Sequence, residues 1–252
     1  MKNGTLCALC FALISCGGGS APQPAPPPAQ QPPPRSLDYV MHENPGMPAY
    51  GLIAGNPLAI VFGGNIDDTL RGTNMIPIAP RLAEAGYAVA ALTLPAHEPE
   101  ANPSGLIGWA ERIKAGETDL FTDFCRKVSQ VIDHLAATRV TAVGISRGGY
   151  VAATCVARDS RFHALVMLAP VTDLTRLAEF SGVTVDQSIY GLDTATLSNH
   201  PVLVRIGKND DRVSTDAATS FAGKVGATLQ LLDVEGHSAP EDGSTLAWLR
   251  TH

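Results

Sequence analysis

Hydrophobic residues along this chain occur mainly as short continuous runs that polar segments separate. Six of the runs are predicted to be strands: residues 58–62, 88–94, 140–145, 164–168, 202–206 and 228–234. Most of them are apolar at nearly every position, which is typical of parallel strands that are covered on both faces.

Segments with a helical pattern lie between these runs. They are residues 78–85, 118–137, 148–158, 216–224 and 244–250. In the second segment, apolar residues recur at steps of three or four from Phe121 to Leu135, so one face of the helix is apolar. The alternation predicts an α/β fold, a doubly wound and mostly parallel sheet with helices on both faces. Such sheets bind ligands beyond the carboxyl ends of their strands, so the loops that follow strands are the candidate site.

The N-terminal region predicts export. Lys2 precedes an apolar stretch, residues 6–14, that is too short to span a bilayer. The stretch leads into Leu-Ile-Ser-Cys ending at Cys16, which resembles a bacterial lipobox. That resemblance implies a signal peptide over residues 1–16 and a lipid anchor on Cys16. Because Gly17 follows, it also implies an outer-membrane location facing the periplasm or the cell surface. An ordinary signal peptide with an incidental cysteine is the alternative.

Composition and charge define the rest of the chain. Residues 17–35 are rich in proline and are predicted to be an extended tether, with a proline-rich recognition segment as the alternative. Residues 36–252 are enough for one domain with a substantial core. The net charge of −6 and the lack of basic clusters argue against nucleic acid as a partner. No apolar run after Cys16 could span a membrane, so membrane contact is expected only through the lipid anchor.

The cysteines fall into two groups. Cys7, Cys10 and Cys16 belong to the predicted signal peptide, whereas Cys125 and Cys155 lie in helical segments. Buried free thiols are predicted for the second group, since cysteine is readily buried, and a disulfide, which export permits, is the alternative. No metal-ligand spacing and no cofactor-binding motif is present, so neither a metal nor a cofactor is expected.

Ser146 occupies a glycine-rich segment between a predicted strand and a predicted helix. The residues Gly144-Ile145-Ser146-Arg147-Gly148 fit the pattern G-x-S-x-G. On such a turn the serine is exposed in strained backbone geometry, and glycines permit the close approach of neighbouring backbone. A phosphate-binding loop is the alternative. A dinucleotide site is disfavoured, because no acidic ribose partner follows the next strand.

A serine nucleophile needs a base and a group that orients the base. Asp210 and Asp211 follow one later predicted strand, and His237 follows the next. The order serine, acid, histidine is therefore present, with each residue in a loop at the same edge of the sheet. Asp173, which also follows a strand, is an alternative acid and otherwise caps a helix that begins near residue 174.

From about residue 57 to the C-terminus the chain resembles the α/β-hydrolase superfamily, nearest to its dienelactone-hydrolase and prolyl-oligopeptidase-like branch. The resemblance rests on G-x-S-x-G, on the chain order of the three residues, and on a G-x-x-D-x-x-V segment that Gly207, Asp210 and Val213 match. It implies that Ser146 is the nucleophile, that Asp210 rather than Asp211 is the acid, and that His237 is the base.

The resemblance also implies an oxyanion hole of two backbone N–H groups. One is that of Arg147, directly after the nucleophile. The other comes from the segment Phe-Gly-Gly-Asn at residues 62–65, which takes the place of the family's His-Gly-x. Gly64 is the first candidate for this donor and Asn65 the second.

Other polar and aromatic residues are candidates for the walls of the pocket. His97 follows a predicted strand and is a candidate for the pocket rim. A metal site made of His97, Glu98 and Glu100 is disfavoured, because no second histidine is spaced to join them. Three aromatic residues in the two longest connections are interpreted as packing their loops onto the domain, with an acyl pocket as the alternative: Trp109, Phe180 and Tyr190.

These features together predict a serine hydrolase that cleaves carboxylic esters through an acyl-enzyme on Ser146. The connections are too short for a large cap, so an open site and a small or short-chain acyl group are expected. A peptidase, amidase or thioesterase with the same three residues is the main alternative. A ligand-binding lipoprotein without catalytic activity is the other.

Overall fold

A computed structural model describes residues 38–252, and its sheet has eight strands in that part of the chain. The strands are β1 Val40–His42, β2 Tyr50–Ile53, β3 Leu58–Phe62, β4 Ala88–Ala91, β5 Val140–Ile145, β6 Phe162–Leu168, β7 Val202–Gly207 and β8 Thr228–Leu232. They are arranged in the order β1-β2-β4-β3-β5-β6-β7-β8. The predicted signal peptide, the whole of the predicted tether and the lipidation of Cys16 lie outside the described residues.

The sheet is parallel from β3 to β8 and antiparallel at the edge formed by β1 and β2. The predicted α/β fold with a mostly parallel sheet is therefore confirmed. Strands β1 and β2 were not predicted, because they have only three and four residues and β2 contains a glycine, so neither forms an apolar run as long as those of the central strands. Strand β8 also differs from the prediction of two covered faces: it is the outer strand of the sheet and none of its residues is fully buried.

The helices are α1 Ile66–Arg71, α2 Ile78–Glu84, α3 Gly105–Lys114, α4 Leu120–His134, α5 Arg147–Val156, α6 Gln187–Tyr190, α7 Thr194–Leu197, α8 Thr215–Val225 and α9 Ser244–Leu249. Helices α1, α3, α6 and α7 were not predicted. For α1 a signal existed: the side chain of Asn65 caps its start and Gly72 ends it in a left-handed conformation, with a φ of 68°. Between residues 38 and 252, no helix has both the length and the apolar character needed to cross a bilayer.

The sheet separates two apolar layers. Helices α3, α4, α5 and α8 cover one face, and helices α1, α2 and α9 cover the other. Successive residues of a strand contribute to opposite layers: Ile60 and Phe62 belong to the first, and Val61 between them belongs to the second. This double covering explains why the central strands are apolar at nearly every position.

Cys125 and Cys155 form a disulfide that joins α4 to α5. The expectation of two free buried thiols is therefore wrong, although both cysteines are buried as predicted. The helices pack side by side on one face of the sheet, and this packing brings the two sulfur atoms together across a separation of 30 residues. Disulfides persist in oxidising compartments, which is where the export prediction places the protein.

Reduction of this disulfide is expected to lower the free energy of unfolding by about 3–4 kcal/mol, because the bond restricts a loop of 30 residues in the unfolded chain. Equilibrium unfolding in urea with and without a reducing agent measures the effect. A variant with alanine at positions 125 and 155 is the control, and its unfolding should not respond to the reducing agent. An unchanged midpoint for the reduced native protein would contradict the prediction.

Candidate active site

Ser146 lies on a sharp turn between β5 and α5. Its φ of 54° and ψ of −121° fall in a region that residues other than glycine rarely adopt. A Cβ atom on Gly148 would lie 1.8 Å from the carbonyl oxygen of Phe62, and one on Gly144 would lie 2.5 Å from the carbonyl oxygen of Gly148. The predicted need for glycine at both positions is confirmed. The close approach holds the serine at the end of β5, beside the end of β3.

The side chains of Ser146, His237 and Asp210 form one hydrogen-bonded chain. His237 Nε2 lies 2.8 Å from Ser146 Oγ, and His237 Nδ1 lies 3.0 and 2.8 Å from the two carboxylate oxygens of Asp210. Since a carboxylate only accepts, Nδ1 donates to it, and Nε2 is left to accept the proton of the serine hydroxyl. The three residues follow β5, β7 and β8, so the carboxyl ends of parallel strands bring them together.

The carboxylate of Asp210 is held by its own loop. Its side chain is completely buried, and Oδ1 accepts hydrogen bonds from the backbone N–H groups of Arg212 and Val213, both at 2.9 Å. Val213 is buried and anchors the turn. These contacts give a physical reason for an apolar residue three positions after the acid in the G-x-x-D-x-x-V segment.

Neither of the other two carboxylates considered from the sequence contacts His237. Asp173 accepts hydrogen bonds from the N–H of Thr175 at 2.9 Å and from its hydroxyl at 2.7 Å. It thereby caps the short 3-10 helix Leu174–Arg176, as its alternative role predicts. Asp211 is exposed. The structure brings Asp210 alone of the three to the histidine.

The residues considered for the oxyanion hole lie together beside the nucleophile. Gly64, Asn65 and Arg147 line the same cavity as Ser146. Arg147 is the first residue of α5, so its N–H has no acceptor within the helix. Gly64 has a φ of 142°, and its carbonyl accepts from the N–H of Leu94 at 2.8 Å. The choice between Gly64 and Asn65 as the second donor stays a prediction.

Arg205 is a site residue that the sequence analysis missed. It lies inside the apolar run of β7 and is fully buried. Its guanidinium is 3.4 Å from the carboxylate of Glu241 and 2.8 Å from that of Asp242, and it donates to the hydroxyl of Thr245 at 3.1 Å. Glu241 and Asp242 follow His237 in the connection between β8 and α9, and Thr245 lies in α9, so Arg205 fixes the loop that carries the histidine. The available signal was one arginine in an apolar strand and two acidic residues shortly after the histidine.

A cavity of about 340 Å³ contains Ser146 and His237 in its wall. Larger depressions of about 530 and 640 Å³ contain none of the three hydrogen-bonded residues. The aromatic side chains considered as pocket walls are buried and do not line the cavity: Trp109, Phe180 and Tyr190. Their interpretation as residues that pack loops onto the domain is confirmed. The indole of Trp109, for example, donates to the carbonyl of Pro95 at 2.6 Å.

His97 lines this cavity, as its candidacy for the rim predicts. Its Nδ1 lies 2.9 Å from the carbonyl oxygen of Pro95, so Nδ1 carries the proton and Nε2 carries the lone pair. Burial, and next the positive charge of Arg147, lower the pKa of His97, which keeps the ring neutral near pH 7. Among residues 38–252, no group of His, Cys, Asp and Glu side chains is arranged to hold a metal ion.

A model of the prolyl oligopeptidase family matches residues 108–251, more than half of the chain, and the match includes Ser146, Asp210 and His237. No curated protein matches the sequence. Among solved structures, an acylaminoacyl peptidase of Pyrococcus horikoshii is similar, with 12% identity and a TM-score of 0.55 over 79% of this chain and 37% of the peptidase. The dipeptidyl peptidase 4 of Porphyromonas gingivalis has 15% identity and a TM-score of 0.56, over 84% of this chain and 34% of that one.

An esterase of Pyrococcus furiosus is also similar, with 15% identity and a TM-score of 0.57 over 86% of this chain and 89% of the esterase. This chain therefore spans about a third of the length of each of the two peptidases and most of the length of the esterase. At these identities the structural similarity establishes the fold alone. The match to the family model shows in addition that the sequence is related to that family. On that match, the chain belongs to the prolyl oligopeptidase family of serine hydrolases.

Proposed function

We propose that this protein hydrolyses carboxylic esters with Ser146 as the nucleophile. The observation that carries the proposal is the continuous hydrogen-bonded chain from Ser146 Oγ through His237 to the buried carboxylate of Asp210. A binding protein has no need for all three groups in that arrangement. Their position in the wall of a cavity gives a carbonyl carbon access to the serine.

The two half-reactions follow from the positions of the protons. Ser146 Oγ bonds to the carbonyl carbon while its proton passes to His237 Nε2, and the N–H groups of Arg147 and of Gly64 or Asn65 stabilise the oxyanion. The carbon–oxygen bond to the alcohol then breaks, and His237 returns the proton to the alcohol as it leaves. Water repeats the sequence on the acyl-enzyme, which releases the acid and restores the serine. Asp210 keeps Nδ1 protonated throughout and stabilises the imidazolium.

Two observations favour esters over peptides. The similarity to the esterase extends over 89% of that chain, whereas it extends over about a third of each peptidase. A cavity of about 340 Å³ lies at the lower end of the usual range for ligand sites and suits a short acyl group. The family relationship favours peptide cleavage as the second candidate. Rates on 4-nitrophenyl acetate and on alanine 4-nitroanilide, measured on one preparation, separate the two.

Covalent labelling with a fluorophosphonate tests the proposal. The native protein is expected to react at one site. The variant Ser146→Ala is expected not to be labelled, because the activated hydroxyl is gone. Ser181→Ala is the matched control, since Ser181 is exposed and outside the cavity, and it should label like the native protein. Circular dichroism shows whether each variant is folded. A folded native protein that does not react, or equal labelling of Ser146→Ala, would instead support a binding protein.

A further inference from the structure

The side chain of Arg147 is a partly buried cation that the mechanism above does not use. Its Nη2 lies 3.6 Å from the point where a Cβ atom on Gly64 would stand, so it lies against the loop that follows β3. Its Nε is buried without a hydrogen-bond partner, and no ion pair joins Arg147 to a carboxylate within residues 38–252. Removing a charge from water without a partner is costly, so a charged or polar ligand is the natural counterpart of this side chain.

Arg212 adds a second positive charge to the same cavity wall. It forms an ion pair with Glu179 through Oε1, while Oε2 of Glu179 is buried without a partner and forms no ion pair with Arg147. Burial, together with the nearby charge of Arg212, lowers the pKa of Arg147, while Glu179 opposes this shift. The negative charge of an anion bound at Arg147 would offset both the cost of burying the guanidinium and the repulsion from Arg212.

The acidic side chain in the cavity wall does not neutralise Arg147. Asp68 lines the cavity, but its carboxylate accepts from the amide of Asn65 and from the hydroxyl of Thr73, each at 2.7 Å. It makes no ion pair with Arg147 or Arg212. The carboxylate of Asp210 is already bound to His237 and to backbone N–H groups.

Two further residues of the cavity wall carry buried polar atoms without partners. They are Asn74, through both atoms of its amide, and His97, through Nε2. Buried polar atoms in folded proteins nearly always have a hydrogen-bond partner, so Arg147 Nε and the NH₂ group of Asn74 point to a ligand with acceptor atoms. His97 Nε2 carries a lone pair, so it needs a donor and is not a partner for a carboxylate.

We propose that Arg147, together with Arg212, forms a carboxylate-binding subsite beside Ser146, so that the preferred substrates are esters that carry a second, negatively charged group. The inference rests on the proposed ester hydrolysis and names its substrate class. A guanidinium presents N–H groups in a fixed fork that matches a carboxylate, which gives orientation as well as attraction. Arg147 then acts twice, with its N–H toward the oxyanion and its side chain toward the substrate's charge.

Two pairs of substrates test the inference and locate the charge. Monoethyl succinate against ethyl succinamate places the carboxylate, or its neutral amide counterpart, on the acyl side. The second pair, 4-acetoxybenzoate and 4-acetoxybenzamide, places the carboxylate or its neutral amide counterpart on the alcohol side. For at least one pair, we expect kcat/KM of the native protein to be about 10- to 100-fold higher for the charged ester, the range of one charge-assisted hydrogen bond.

The variant Arg147→Met is expected to bring this ratio close to one, and Arg147→Lys to restore part of it. The ratio is measured within each variant, so a general loss of rate cancels. Arg126→Met is the matched control, because Arg126 is an exposed arginine on α4 and its loss should leave the ratio as in the native protein. A native ratio of one or less for both pairs, or a ratio that survives Arg147→Met, would overturn the subsite. Hydrolysis of the neutral esters in that case would leave the proposed function standing, whereas absence of all hydrolysis and labelling would remove that function first.

Discussion

Replacing Asp210 by asparagine is expected to lower kcat for ester hydrolysis about 10⁴-fold. The carboxylate accepts from His237 Nδ1 and from the N–H groups of Arg212 and Val213. An asparagine has one oxygen for these donors, and its NH₂ group facing Nδ1 would favour the tautomer with the proton on Nε2. That tautomer cannot accept the proton of Ser146. Steady-state rates of the native enzyme and the variant measure the effect. The fraction of native enzyme that a fluorophosphonate labels gives its concentration of active sites.

Asp173→Asn and Asp211→Asn are the matched controls for this prediction. Each makes the same chemical change at a carboxylate that the sequence analysis also considered. The carboxylate of Asp173 accepts hydrogen bonds from Thr175 and lies near the guanidinium of Arg176, both within its own turn. Asp211 is exposed. Both variants should therefore keep a kcat close to that of the native protein. A severe loss in Asp173→Asn with little loss in Asp210→Asn would show that the acid had been assigned to the wrong loop.

The parts of this protein that could be predicted from its sequence are those that local chemistry determines. The central strands are covered on both faces, so each is a nearly continuous apolar run, and helices with one apolar face alternate with them. The strained turn at Ser146 needs glycine at fixed offsets, because neighbouring backbone approaches too closely for any side chain. The positions of Asp210 and His237 follow from the same logic, since the carboxyl ends of parallel strands share one edge.

The parts that could not be predicted depend on contacts between distant segments. Whether Cys125 meets Cys155 depends on how α4 packs against α5, and their sequence spacing does not contain that information. The role of Arg147 is similar. Its place in G-x-S-x-G assigns its N–H, but only the packing of the loop after β3 shows that its side chain lies in the cavity wall, with Nε buried and without a partner. A sheet-edge strand such as β1 has only three residues, which is too short for an apolar run or an alternating pattern to mark it.

Arg205→Met is expected to lower the free energy of unfolding by about 3–5 kcal/mol, the range for removing one member of a buried ion pair. The guanidinium and the carboxylate of Glu241 are both almost fully buried, so Met would leave Glu241 as an unpaired buried charge. Because Glu241 and Asp242 lie in the connection that carries His237, we expect kcat to fall as well, with the labelling of Ser146 slowed.

Urea unfolding and labelling rates, measured on the same samples, separate the loss of stability from the loss of catalytic alignment. Asp242→Asn is a milder variant for the case in which Arg205→Met does not fold, since the side chain of Asp242 is 58% exposed and its loss leaves Glu241 paired. Arg126→Met, which removes an exposed ion pair with Asp123, is the matched control and should cost less than about 1 kcal/mol. If Arg205→Met were as stable and as active as this control, the position of His237 would have to depend on the strand β8 and the helix α9 alone. The buried arginine would then have no part in the site.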